Sequence, residues 1–135
     1  MDGQVKDLWP DIVPETVTTP FGILQEQATN LERRTKGILS GSVERQRYES
    51  EFYLSFNIVA PSLDRYEYEL LRISHGVEVY PVTVVSSPLP PANNLIERLG
   101  DEKEFVEWLG RALACEKTKR IIGSLLAQSG VRAAS

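Results

Sequence analysis

Between residues 37 and 85 four strand-like stretches follow one another with only short turn sequences between them. Strands so closely linked pair antiparallel, because a parallel pair needs a crossover of a dozen or more residues. The second stretch is the clearest: Phe52, Leu54, Phe56, Ile58 and Ala60 alternate with Tyr53, Ser55, Asn57 and Val59, which sends the even positions to a core. The first, about 38–46, turns polar at Arg45, Gln46 and Arg47, as suits an edge or a solvated hairpin end. A turn at Pro61, Ser62, Leu63 and Asp64 leads to a third strand over 66–74. His75 and Gly76 supply the tightest reversal, and the fourth strand, 77–85, carries Pro81, which argues for an edge or a bulge.

Helical patterns flank this block. Thr19 and Pro20 are an N-cap and first-turn proline, and Phe21, Leu24, Ala28 and Leu31 form one stripe of a helix over 20–36, ended by Gly37. A turn-rich connection over 86–100 separates the sheet from a helical part, 101–130. There Asp101 and Glu104 resemble a capping box ahead of Phe105, Val106, Leu109, Ala112 and Leu113. A second apolar face, Thr118, Ile121, Ile122, Leu125 and Leu126, follows Cys115 as a separate helix or as a continuation. Residues 1–19 hold Trp9, Ile12, Val13 and Val17 but are broken by Pro10 and Pro14, and read as an extended arm that docks by its apolar residues. Residues 131–135 are expected to fray. The expected fold is α+β in a single domain: a four-stranded antiparallel meander, one amphipathic helix before it and two helices after it, packed mainly on one face.

With 135 residues the chain is long enough for one substantial core, and a net charge of -4 does not favour polyanion binding. Arg33, Arg34 and Lys36, and likewise Lys117, Lys119 and Arg120, are read as solvated helix faces. Cys115 is the only cysteine, which rules out an internal disulfide and a thiolate cluster and points to a reducing compartment. No stretch approaches the roughly 20 apolar residues of a membrane span, and no signal sequence opens the chain, so a cytoplasmic protein is expected.

Groupings that specify a reaction are missing from the sequence. His75 is the sole histidine and sits in an expected turn. Cys115 would need a lowered pKa to act as a nucleophile, and a small buried thiol between helix stripes is the plainer reading. Glu67 and Glu69 share a strand face and could in principle hold a hard cation, but a solvated face accounts for them. Gly37 and Gly41 belong to no phosphate-binding pattern, and no cofactor is expected.

What remains is a surface. If Val59 pairs with Tyr66, then Tyr53, Tyr66, Tyr68, Leu70 and Arg72 lie together on the face opposite Phe52, Phe56 and Ile58, whereas a slip of one residue sends the tyrosines to the core side. Such a patch suits a protein interface, unless the arm with Trp9 or a terminal helix covers it. Base stacking on the patch ranks below this, because RNA-binding sheets interleave their helices and Glu67 and Glu69 would repel phosphate. The leading expectation is a non-enzymatic protein-binding or regulatory module using its sheet surface or edge, with a partner that could be a second copy. The alternative is a small enzyme or ligand-binding protein with a pocket between sheet and helices, to which His75, Arg72 or Cys115 contributes.

Overall fold

The computed structural model describes residues 6–90 and 96–130. The expectation of fraying at 131–135 falls outside them. The elements are α1 (Pro20–Arg34), β1 (Ser40–Tyr48), β2 (Glu51–Ala60), β3 (Tyr66–His75), β4 (Val82–Ser86), β5 (Arg98–Leu99), α2 (Glu102–Ala114) and α3 (Glu116–Gln128). The strands form one antiparallel sheet in the order β1-β2-β3-β4-β5. This is the expected α+β meander, with one helix before the sheet and two after, but with a fifth, two-residue strand.

That short strand changes the place of β4. Pairing of Val82 with Leu99 and Thr83 with Arg98 makes β4 an interior strand. Pro81 conflicts with nothing, because it precedes the strand, which begins at Val82 and not at 77. His75 likewise ends β3, and the chain takes residues 76–81 to return, in place of a two-residue reversal.

Local chemistry sets the helix starts. The Thr19 hydroxyl accepts from the Gly22 amide at 3.1 Å, and Pro20 occupies the first turn, where its missing N–H costs nothing. Asp101 accepts from the Glu104 amide at 2.9 Å while Glu104 accepts from the Gly100 amide. Cys115, with extended backbone, ends α2 and begins α3, so the two helices are separate. The buried Thr118 hydroxyl ties them by donating to the Ala112 carbonyl at 2.7 Å.

The core lies between the even face of β2 and the helices. Leu24 of α1, Leu54 and Ile58 of β2, Ile73 of β3, and Phe105 and Trp108 of α2 are fully buried in one cluster. α1 approaches β1 so closely at Gly41 that a Cβ there would lie 2.6 Å from both Ala28 Cα and Cβ. Only glycine fits.

The arm departs from expectation. Leu8, Trp9, Ile12 and Val13 are 82, 77, 74 and 78% exposed, so the segment does not dock on its own domain. Proline denies it a helix that could bury a stripe, and its local order is a turn in which Asp7 accepts from the Trp9 amide at 3.1 Å. Its base is fixed where the Tyr80 hydroxyl donates to the Thr18 carbonyl at 3.0 Å.

Candidate functional site

The register of β2 against β3 decides where the five surface residues go. Ala60 pairs with Tyr66, Ile58 with Tyr68 and Asn57 with Glu69, after which Phe56 pairs with Leu71 and Ser55 with Arg72. The expected pairing of Val59 with Tyr66 is therefore wrong by one residue, and Leu70 is an extra residue in a bulge. The cause is the turn. Leu63 packs against the core and its amide bonds to the Ala60 carbonyl at 3.0 Å, while Asp64 and Arg65 take left-handed backbone at φ 56°, closing the connection in five residues.

The expected single patch becomes two groups. Tyr66 and Tyr68 share the helix side with Ala60 and Ile58. Leu70 is buried in the core at 5% exposure. Tyr53 and Arg72 remain on the other side, in a shallow hollow with Gln46 and Tyr48. The bulge brings Glu69 and Arg72, three apart, to one face, where they form an ion pair at 2.8 Å; Arg72 Nε also donates to Ser55 Oγ at 3.2 Å. That side is polar and does not match the expected tyrosine surface. The arm does not cover it either.

On the helix side, Tyr66 and Tyr68 form one wall of an open groove of about 640 Å³. The facing wall is α3, which contributes Lys117, Arg120 and Ile121, and Leu63 and Leu125 line it as well. Tyr66 is 48% exposed, and both cations are exposed. The lining carries no carboxylate. The groove thus combines aromatic and aliphatic surface with positive charge, in a chain whose net charge is negative. The groove is not legible in the sequence because its two walls are some 50 residues apart, and only the β2–β3 register puts the tyrosines opposite α3. A second groove, of about 460 Å³ between α1 and the α2–α3 junction, has Arg33 and Arg34 on its rim and Leu70, Phe56 and Ile58 inside.

The other singled-out residues do not converge. His75 stacks on Phe52 with ring centroids 5.5 Å apart, and its Nδ1 lies 2.8 Å from the Gly76 carbonyl oxygen. Cys115 is half-buried at the junction of α2 and α3, with Sγ 3.7 Å from the Pro88 carbonyl oxygen and 3.4 Å from Thr118 Oγ1. Burial pushes its pKa up, but hydrogen bonding from Thr118 and from the backbone amides of Thr118, Lys117 and Cys115 itself prevails, and the net direction is down. Arg72 faces the other side of the sheet from His75, so these three residues do not line one common pocket. Among the described residues no three His, Cys, Asp or Glu side chains are grouped to hold a metal ion, and no helix is long and apolar enough to cross a membrane.

No family model, curated protein or solved structure matches this chain.

Proposed function

We propose that the chain is a non-enzymatic protein-binding module whose contact element is the arm over residues 6–17, acting in a reducing, cytoplasmic setting. The observation that carries this is the exposure of Leu8, Trp9, Ile12 and Val13, four large apolar side chains within six positions and each at least 74% exposed. Burying one such side chain is worth roughly 1.5–3 kcal/mol, so the segment forgoes several kcal/mol when it stands alone. Other exposed apolar residues, Val77 and Ile96 among them, stand apart from one another in the sequence. Tryptophan is also the residue type most enriched at interface hot spots. The prolines support the same reading, because an extended, proline-stiffened segment loses less entropy when a partner orders it. The test is affinity capture on the immobilised full chain, compared with a Trp9→Asp/Ile12→Asp chain of unchanged circular dichroism. The reading requires partners retained by the first and lost by the second; an identical set on both would refute it.

A further inference from the structure

The arm and the groove have complementary chemistry. Between residues 6 and 17 the arm carries Asp7, Asp11 and Glu15 against the single cation Lys6, interleaved with its apolar residues. The groove presents Lys117 and Arg120 above an aromatic and aliphatic floor with no acid in its lining. Nearer the arm's base, the hollow that includes Thr18 is lined by Glu26 and Glu102, which disfavour an acidic peptide. The lengths also agree. The five steps from Leu8 to Val13 span about 16–18 Å, and the stretch of α3 between Lys117 and Gln128 that walls the groove runs about 17 Å at 1.5 Å per residue.

Within one chain the arm does not occupy its own groove, since Leu8, Trp9, Ile12 and Val13 are each at least 74% exposed. The arm leaves beside Tyr80, just beyond the C-terminal end of β3, and Phe21 lies under Arg45, whose β-partner is Leu54. The tyrosine wall is at the opposite, N-terminal end of β3. From Tyr68 to His75 the strand covers about 23 Å, whereas the five steps from Val13 to Thr18 reach at most about 18 Å, so Val13 falls short of its own tyrosine wall.

We infer that the groove between Tyr66, Tyr68 and α3 receives the arm of a second copy of this chain, in a reciprocal dimer where each arm crosses to its partner. Trp9 and Ile12, three apart and so on one face of a proline-stiffened polyproline II segment, enter the apolar floor, while Asp7 and Asp11 lie beside Lys117 and Arg120. This rests on the reading of the arm as the contact element, and adds the identity of the partner surface. Two identical contacts related by a two-fold axis form a closed assembly and leave no free arm to propagate a chain.

Sedimentation velocity over a concentration series tests it on four samples: wild type, the arm variant Trp9→Asp/Ile12→Asp, the groove variant Lys117→Glu/Arg120→Glu, and an equimolar mixture of the two variants. The groove substitutions are at exposed positions, and circular dichroism checks that both variants remain folded. The wild type should dimerise with concentration. Each variant alone should be at least about tenfold weaker. The mixture should regain a heterodimer through its one intact arm and one intact groove. A groove variant that dimerises like the wild type, while the arm variant does not, overturns the groove and leaves the arm reading standing. A wild type that stays monomeric overturns the dimer, and the capture experiment then judges the arm by itself. Dimerisation unaffected by either variant defeats both.

Discussion

The arm and α1 are neighbours in the chain, separated only by Thr18 and Thr19, and are similarly rich in apolar residues, yet they have opposite fates. α1 buries Ile23, Leu24 and Ala28 against the sheet, while the arm leaves Leu8, Trp9, Ile12 and Val13 in solvent. Hydrophobicity does not separate them. Geometry does: the α1 residues recur at helical spacing and fall on one stripe that the sheet can cover, whereas Pro10 and Pro14 prevent the arm from forming any such stripe. The contrast teaches that an apolar residue is a folding residue only where the backbone can align it with others. Otherwise it is available to a partner.

The largest effect that would sharpen this contrast is a pair of truncations to alanine. Leu24→Ala should cost about 2–5 kcal/mol, as for other fully buried leucines, and Trp9→Ala should change stability by no more than about 0.5 kcal/mol. Urea unfolding of the two variants, at concentrations too low for association, checks it. A costly Trp9→Ala would mean that the arm is docked in the monomer. Next comes Gly41→Ala, whose new Cβ would meet the backbone of α1 at Ala28; a loss of about 1–3 kcal/mol is expected from the same unfolding measurement, and a neutral result would mean that α1 is free to move off β1.

The smallest effect concerns the joint between the two regions. Burial first, then the charges of Glu102 and Asp101, push the Tyr80 phenol up from 10.0 to about 12. Because the folded pKa exceeds the unfolded one, the neutral phenol favours the folded state fully below pH 10, and this contribution is lost as the pH rises towards about 12. Absorbance titration of the phenolates should show one of the five tyrosines ionising late. In Tyr80→Phe that late step should be absent, and stability should fall less between pH 10 and 12.

Much of the fold was legible because its signals are local. Thr19 before Pro20, Asp101 before Glu104, and the strict alternation in β2 each act within a few residues, and all three elements form as expected. The site was less legible because it depends on one register. The face of Tyr66 and Tyr68 turns on how many residues the Ala60–Tyr66 connection uses, and that is settled by Leu63 reaching the core and by two left-handed residues, Asp64 and Arg65, neither of them glycine. The Leu70 bulge then restores the usual phase, so that Arg72 fell on its expected face and the tyrosines did not. β5 leaves no signal in the sequence because two residues hold no periodicity. The described part of the arm has no regular structure and is not docked, since sequence pattern reports what a segment can form and not whether a covering surface lies within its reach.

The two tryptophans stand on the two sides of the opening comparison, Trp9 in the arm at 77% exposure and Trp108 in the core at 0%. Fluorine NMR of the chain labelled with 5-fluorotryptophan therefore reads both regions in one spectrum, without substitution. As concentration rises, the Trp9 resonance should move and lose its sensitivity to exchange of H₂O for D₂O while the Trp108 resonance stays fixed, and Lys117→Glu/Arg120→Glu should abolish the movement. A Trp9 resonance that keeps its solvent-exposed position and sensitivity across the whole concentration range would contradict the arm-in-groove dimer.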